Sequence, residues 1–226
     1  LLARPDIDAV HIATPDHWHA LLVIEACRRG KDVYCQKPET LTLREGPLMI
    51  AAARRYGRVV SGGSQRVLGD YRQYVDPVWA GELGTIKSIN VSVGPLPQLC
   101  NLPEEPMEEK IDWDMWLGPA AWAPYNSKRC SGSYNINGSS WRSFSDYSGG
   151  GMTDWGAHHF GGATFICDVR ELQPTDVIYN ETSEGKWLDY KYSNGLTIYH
   201  NKPHTGNLHI EGTPGEQLPG RPVPEY

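Results

Sequence analysis

The feature that most constrains the fold is the alternation of short apolar runs with helical patterns over the first third of the chain. Apolar runs of strand length occupy 8–14, 32–36 and 58–63, and the two intervals between them carry apolar residues at helical spacing. Strands joined by helices through short connections pair in parallel, with right-handed crossovers. The sequence therefore predicts an α/β region with a parallel sheet over 1–66.

Both predicted helices carry start signals. Thr14 stands where an N-cap belongs, Pro15 is at the first helical position, and Asp16 lies in the first turn. Thr42 and Glu45 have the spacing of a capping box at the start of the second helix. We therefore expect the first helix to begin at Pro15 and the second just after Thr42.

In open parallel sheets, ligands bind beyond the carboxyl ends of the strands. Side chains at those ends are candidates for contact with a nucleotide cofactor: Thr14, Pro15, His17, His19, Gln36, Lys37 and Gln65. Lys37 precedes a proline at the end of the second strand. On position alone it is either a solvated lysine of a turn or an active-site amine.

The glycine-rich turn of a dinucleotide fold is absent from this pattern. A first strand ending in G-x-G-x-x-G carries the pyrophosphate in that fold, and nothing in 1–10 supplies it. Region 1–66 is therefore predicted to be the second half of a Rossmann-like nucleotide-binding domain. Three explanations fit: a fragment of a longer chain, a short form whose open edge strand is covered in an oligomer, or loss of nicotinamide chemistry.

The remaining residues, 67–226, predict an α+β domain for substrate binding and oligomerisation. It contains a helix interrupted near Pro77 and a long loop at 95–151 that is rich in aromatic residues, glycine and proline. An antiparallel meander is expected near the end, with strands at 176–182, 186–194, 196–203 and 207–212.

Composition excludes several classes of protein. The net charge is −6 and no basic run is present, which argues against a nucleic-acid partner. No apolar run approaches the roughly 20 residues of a membrane span. The 5 cysteines are scattered without a C-x-x-C pair, so neither a disulfide framework nor a zinc cassette is expected. They favour a reducing compartment, and the predicted location is cytoplasmic or periplasmic.

One segment carries a candidate acid–base pair. Asp154 and His158 are four residues apart, so on one helix they share a face. A carboxylate beside an imidazole raises the pKa of that imidazole and orients the ring, which makes His158 a candidate general acid or base. A plain surface Asp–His pair is the alternative. His17 and His19, or Asp154 with His158 and His159, are conceivable metal ligands, but neither set has a zinc spacing, and no metal is expected.

Three motifs together resemble a known family. They are "DIDAVHIATPDHWHALLVIEACRRGKDVYCQKPETLTLREG", "WLGPAAWAPYN" and "YSGGGMTDWGAHH". They resemble the glucose–fructose oxidoreductase, inositol dehydrogenase and MocA (Gfo/Idh/MocA) family, in a planctomycete-like branch, over Leu1 to about Gly215. The resemblance implies a Rossmann domain followed by a C-terminal domain with an open antiparallel sheet. It also implies a homo-oligomer that uses NAD or NADP to oxidise or reduce hydroxyl groups of sugars, cyclitols or glycosides.

The resemblance assigns roles to the central residues. Lys37 matches the lysine of an E-K-P motif that contacts the reacting hydroxyl, Pro38 matches a proline often in a cis bond, and Gln36 replaces the usual glutamate. Asp154 and His158 match a D-x-G-x-H motif, with the histidine as proton acceptor.

Further residues are assigned by the same resemblance and by their aromatic character. Thr14, Pro15 and His19 match the nicotinamide side of the site, and Gly161 stands where the family often has an aspartate. Aromatic rings with polar groups suit stacking on a sugar. The predicted substrate contacts outside the central motifs are Trp116, Trp122, Tyr125, Trp141 and His159.

The leading functional prediction is therefore NAD(P)-dependent hydride transfer to or from a sugar hydroxyl. Two alternatives stay open because the glycine-rich turn is missing. One is a redox-independent carbohydrate lyase, hydrolase or isomerase, with or without a metal. The other is a carbohydrate-binding protein with an idle site.

Overall fold

The computed structural model describes residues 1–64, 66, 69–132, 140–204, 206 and 208–222. The chain divides into two compact units: unit 1 is Leu1–Ser64 with Pro95–Asp154, and unit 2 is Gln65–Gly94 with Trp155–Tyr226. Segment 95–151, which the sequence analysis grouped with 67–226, therefore lies in the unit that holds the parallel sheet. The functional division at residue 66 stays a prediction.

The elements follow one another in an α/β and then an α+β order. The strands are β1 Ala9–Ile12, β2 Asp32–Cys35, β3 Val60–Gly62, β4 Ser88–Val91, β5 Asp176–Thr182, β6 Gly185–Lys191, β7 Thr197–His200 and β8 Leu208–Glu211. The α-helices are α1 Asp16–Arg28, α2 Glu45–Tyr56, α3 Arg72–Trp79, α4 Trp113–Leu117, α5 Ser127–Cys130, α6 Gly150–Asp154 and α7 Gly156–Ile166. A 3-10 turn spans Trp141–Ser143.

Unit 1 contains the predicted parallel sheet. Its order is β1-β2-β3, with both pairs parallel, and α1 and α2 form the two crossovers. Buried Val10, Val33 and Cys35 pack with Val23 and Ala52 of the helices into one apolar cluster. The strand–helix–strand–helix–strand prediction is confirmed, and burial of this cluster holds the carboxyl ends of the strands at one edge.

The predicted start of α1 needs a correction. Pro15 is the N-cap, with an extended backbone (φ −58°, ψ 153°), and the first helical residue is Asp16. The Thr14 carbonyl meanwhile faces the ring of His19, at 2.9 Å from Nε2. Thr14 is therefore held outside the helix by the histidine that follows in its first turn.

The start of α2 shows half of the predicted capping box. The Glu45 carboxylate accepts hydrogen bonds from the backbone N–H groups of Leu41 and Thr42, at 2.6 and 3.1 Å. The N-cap position, however, belongs to Arg44. The helix begins two residues later than a full box at Thr42 requires, because Glu45 itself is its first helical residue.

Unit 2 is built on an open five-stranded sheet in the order β5-β6-β7-β4-β8. The meander prediction is confirmed for β5, β6 and β7, which pair antiparallel. It is wrong for β8, because β4 from much earlier in the chain inserts between β7 and β8. The sheet is therefore mixed, with β4 parallel to β7 and antiparallel to β8.

Helix α7 packs against the unit 2 sheet and supplies much of the core. Ile166 of α7 is fully buried together with Ile89 of β4 and Ile198 of β7. The fold is thus a Rossmann-like parallel sheet plus a C-terminal α/β domain with an open sheet, as predicted. Within the described residues, no helix combines the length and the apolar character that crossing a bilayer requires.

Substitution of one core isoleucine tests this packing. Ile198 is 1% exposed, so Ile198→Ala should lower the free energy of unfolding by about 2–5 kcal/mol through lost burial and a cavity. Ile178→Ala is the matched control, because Ile178 is 38% exposed and its truncation should cost well under half as much. Urea denaturation measures both, and equal losses would contradict the assigned core.

Candidate active site

The candidate site in unit 1 centres on the lysine that follows β2. Lys37 Nζ donates a hydrogen bond to the backbone carbonyl of Asp154 at 3.0 Å and forms an ion pair with the Asp154 carboxylate. The two side chains are only 14% and 6% exposed. The Lys37–Pro38 peptide is cis. Because both charges are largely removed from water, each requires the other, and the solvated-turn interpretation of Lys37 does not fit this burial.

A second cation lies near the same carboxylate. Arg142, in the 3-10 turn Trp141–Ser143, places Nε 3.9 Å from Oδ2 of Asp154, and its side chain is 15% exposed. Asp154 is therefore flanked by an ammonium and a guanidinium group. This arrangement leaves the cluster of Lys37, Arg142 and Asp154 with an excess of positive charge.

The structure adds a residue that the sequence analysis treated only as a first-turn acid. Asp16 is 3% exposed, and its Oδ2 has no hydrogen-bond partner among the described residues. Burial raises the pKa of Asp16 to about 7, and the charge of Asp154 adds to that rise. A hydrogen bond with Ser148 and the charges of Lys37 and Arg142 act in the opposite direction. One signal in the sequence could have identified Asp16 as a site residue: it directly follows Thr14 and Pro15 at the end of the first strand.

His19 joins the ends of two parallel strands. Its Nδ1 lies 2.8 Å from the Pro38 carbonyl and its Nε2 lies 2.9 Å from the Thr14 carbonyl, and the residue is 1% exposed. The ring thus bridges the turn after β1 and the turn that carries Lys37. This geometry supports a positioning role and argues against the predicted direct contact with a cofactor.

His17 is likewise enclosed by protein. Its Nε2 lies 3.1 Å from the Trp116 carbonyl, and its ring is 5.2 Å from the ring of Trp116 and 5.3 Å from that of Tyr147. Burial lowers the pKa of His17, which favours the neutral imidazole. Of the other predicted cofactor contacts, Gln36 continues the strand register through a bond from its N–H to the Ile12 carbonyl. Gln65 lies outside the described residues.

The aromatic residues proposed as a sugar platform differ strongly in exposure. Tyr125 and Trp141 are 4% and 7% exposed and belong to a buried cluster, whereas Trp122 is 75% exposed. Trp116 stacks on Trp113 with ring centroids 5.0 Å apart. This burial argues against a single platform of four rings and makes Tyr125 and Trp141 core residues of unit 1.

The predicted single helix carrying Asp154 and His158 is wrong. Asp154 is the last residue of α6, α7 begins at Gly156, and Trp155 separates the two helices. The Asp154 carbonyl at the end of α6 accepts its hydrogen bond from Lys37. A cation thus satisfies a carbonyl that a continuous helix would bond internally. The pairing of Asp154 with His158, which is buried in α7, stays a prediction.

The side chain of His159 contacts other side chains of unit 2. Its Nδ1 bonds with the hydroxyl of Tyr71, and its ring stacks on Trp155 at 5.6 Å with an interplanar angle of 17°. Burial lowers the pKa of His159. These contacts support a structural role over the predicted contact with substrate. In the described part of the chain, no group of three or more His, Cys, Asp or Glu side chains is arranged to hold a metal ion.

Comparison with protein families identifies the chain. Residues 1–64 match the model of an NAD-binding Rossmann fold of the Gfo/Idh/MocA oxidoreductases, and residues 97–220 match the model of their C-terminal alpha/beta domain. Together these matches cover both the parallel sheet and most of the mixed sheet. The chain therefore belongs to the Gfo/Idh/MocA oxidoreductase family.

Two curated relatives are similar to part of this chain. The 1,5-anhydro-D-fructose reductase of Ensifer adhaerens is 34% identical over 85 residues, which are 37% of this chain and 26% of the reductase. The scyllo-inositol 2-dehydrogenase (NAD(+)) of Bacillus subtilis is 33% identical over 88 residues, which are 37% of this chain and 25% of the dehydrogenase. The matched part of this chain thus spans about a quarter of the length of these curated relatives.

A solved structure supports the fold. Levoglucosan dehydrogenase, in complex with NADH and levoglucosan, superposes with a TM-score of 0.59 at 21% identity. The superposition covers 93% of this chain and 53% of the dehydrogenase. At this identity the likeness supports the fold alone.

The buried carboxyl of Asp16 predicts a pH-dependent effect on stability. Its folded-state pKa of about 7 lies above the ordinary value of 3.8, so the folded chain holds this proton more tightly than the unfolded chain does. The contribution of this carboxyl to stability is therefore fully present below about pH 3.8 and is lost as pH rises from there through about 7. Asp16→Asn removes this titration. Relative to the wild type, its free energy of unfolding should rise between pH 4 and pH 8 by up to about 4 kcal/mol.

Urea denaturation at several pH values measures this difference. Asp8→Asn is the matched control, because Asp8 is exposed and loses the same charge from the same unit. This variant should not reproduce the rise of up to about 4 kcal/mol, because an exposed carboxylate stays hydrated in the folded chain. A constant difference between Asp16→Asn and the wild type over the same pH range would contradict the buried environment assigned to Asp16.

Proposed function

We propose that this chain carries out NAD(P)-dependent hydride transfer to or from a hydroxyl group of a sugar, cyclitol or glycoside. The single observation that carries the proposal is the amine of Lys37, held by Asp154 at the carboxyl end of a parallel strand. Parallel α/β sheets bind their ligands at that edge. Membership of an oxidoreductase family whose N-terminal domain is a Rossmann fold supports the same chemistry.

The residues at this edge fit the nicotinamide end of a dinucleotide. The turn after β1, Thr14–Pro15, and the turn after β2, Gln36–Lys37, are joined by the buried ring of His19. Backbone groups and one buried cation at these turns suit a ring with an amide substituent. We assign Thr14, Pro15, Gln36 and Lys37 to hold it. When bound, the nicotinamide accepts or supplies the hydride.

Lys37 takes the central role in the proposed reaction. A lysine that donates hydrogen bonds to an oxygen stabilises the negative charge that develops there as the hydroxyl loses its proton. Asp154 fixes the ammonium group through two oxygens, its carbonyl and its carboxylate. Lys37 thus meets the substrate oxygen from a fixed position, which lowers the entropic cost of orienting the two groups.

His158 is assigned as the proton acceptor. The proton leaves the substrate hydroxyl for the imidazole as the hydride leaves the adjacent carbon, so the substrate gives up one proton and one hydride in all. An imidazole titrates close to neutral pH, which suits it to accept the proton in one direction and return it in the other. The assignment rests on the match of Asp154 and His158 to the D-x-G-x-H motif.

The substrate class and the assembly are part of the proposal. The curated relatives include a reductase of 1,5-anhydro-D-fructose and a dehydrogenase of scyllo-inositol, both of which act on polyhydroxylated rings. A homo-oligomer is supported by strand β5, where Val177 and Tyr179 are 57% and 58% exposed at the edge of the sheet. An exposed apolar edge strand favours association.

A turnover assay tests the proposal. A panel of sugars and cyclitols is incubated with NAD or NADP, and the absorbance of the reduced nicotinamide measures the reaction. Lys37→Ala and His158→Ala should each lower kcat/KM by roughly 100-fold or more, because each removes a group that acts on the reacting hydroxyl. Lys110→Ala removes an exposed lysine of unit 1 and should leave turnover unchanged.

Two results would refute the assignment. Full turnover in the Lys37 or His158 variant would remove that residue from the reaction. Sugar conversion that proceeds without any nicotinamide, either added or bound as judged by mass spectrometry, would favour the redox-independent alternative.

A further inference from the structure

Asp16 lies in a buried cluster of charged groups and has no role of its own in the proposed reaction. The side chains that act on it electrostatically are Lys37, Arg142 and Asp154, and Ser148 is its hydrogen-bond partner. They come from the end of β2, the 3-10 turn, α6 and the segment before α6, so the cluster is assembled from distant parts of unit 1. All five residues are removed from bulk water: the side chains of Lys37, Arg142 and Asp154 are 15% exposed or less, and Asp16 and Ser148 are 3% and 1% exposed as whole residues.

Within the described part of the chain, one oxygen of the Asp16 carboxyl accepts no hydrogen bond, and the same is true of Oδ2 of Asp154, which instead lies 3.9 Å from Nε of Arg142. The unbonded oxygen of Asp16, Oδ2, is buried. A buried carboxylate oxygen without a donor is costly, whereas a protonated oxygen carries no charge. The geometry therefore favours the neutral carboxylic acid, although two cations are near.

The charge of the cluster depends on that proton. Lys37 and Arg142 contribute two positive charges and Asp154 one negative charge. With Asp16 neutral the cluster carries one net positive charge, and with Asp16 ionised it carries none. A single proton therefore changes whether the site around the Lys37 amine attracts negative charge.

We propose that Asp16 is a positioning residue of this site, which sets the net charge around Lys37 and Asp154 by taking up or releasing one proton. In this proposal Asp16 acts through Lys37 and does not contact the reacting atoms. When Asp16 is neutral, the Lys37 ammonium keeps its full attraction for a substrate oxygen that becomes negative. In its ionised form Asp16 competes for that ammonium and weakens the attraction.

The other groups around Asp16 are consistent with this role. The thiol of Cys35, at the end of β2, has its pKa raised to about 12 by burial and by nearby Glu39 and Asp16, so it stays protonated across the neutral range. The pKa of Asp16 itself is raised to about 7, chiefly by burial. Asp16 is therefore the member of this cluster suited to change charge near neutral pH.

The consequence for turnover rests on the proposed function, whereas the titration does not. If Lys37 stabilises negative charge on the substrate oxygen, kcat should fall as pH rises through the Asp16 titration. Asp16→Asn, which mimics the neutral acid, should abolish that fall.

Carbon-13 NMR of protein labelled at the aspartate carboxyl carbon tests the titration directly. One resonance should titrate near pH 7 and be missing from Asp16→Asn. In Lys37→Met its midpoint should move upward, because loss of a nearby cation disfavours the carboxylate. Lys110→Met removes an exposed lysine of the same unit and should leave the midpoint in place.

A second variant assigns the resonance if Asp16→Asn does not fold. Ser148→Ala removes a hydrogen bond that favours the ionised form, so the Asp16 midpoint should move upward in that variant. The proposal is overturned if every aspartate titrates below pH 5, or if the midpoint near pH 7 is unmoved in Lys37→Met. Absence of turnover with every sugar tested would refute the proposed function and leave the NMR result standing.

Discussion

The ion pair between Lys37 and Asp154 is the interaction on which the rest of the candidate site depends. Its two members are 14% and 6% exposed, so either one alone would be a buried charge without compensation. The lysine also bonds to the Asp154 carbonyl at the point where α6 ends. One contact therefore fixes the end of β2, the end of α6 and the direction of the amine.

The turns around that pair are held by buried histidines whose sequence pattern suggested a different use. His19 bridges the Thr14 and Pro38 carbonyls, and His17 faces the Trp116 carbonyl among aromatic rings. Both are almost fully buried. Hydrogen-bonding groups aimed at backbone carbonyls give the strand ends a defined shape, which a site needs if it is to hold a cofactor and a substrate in register.

The sequence predicted the features that depend on local patterns. Apolar runs at strand length and apolar residues at helical spacing predicted the order of β1 to β3, because burial restricts those positions. The insertion of β4 beside β7 depends on pairing across about 100 residues, which no local pattern reveals. The break at Trp155 and the burial of Asp16 likewise depend on tertiary contacts, here with Lys37 and its neighbours.

A double-mutant cycle on Lys37 and Asp154 tests the central claim most directly. The free energies of unfolding of Lys37→Met, Asp154→Asn and the double variant, taken from urea denaturation, give the coupling energy of the pair. A buried, hydrogen-bonded ion pair predicts a favourable coupling of about 1–3 kcal/mol, larger than surface pairs show. A coupling within about 0.3 kcal/mol of zero would mean that the two side chains act independently and would contradict the account.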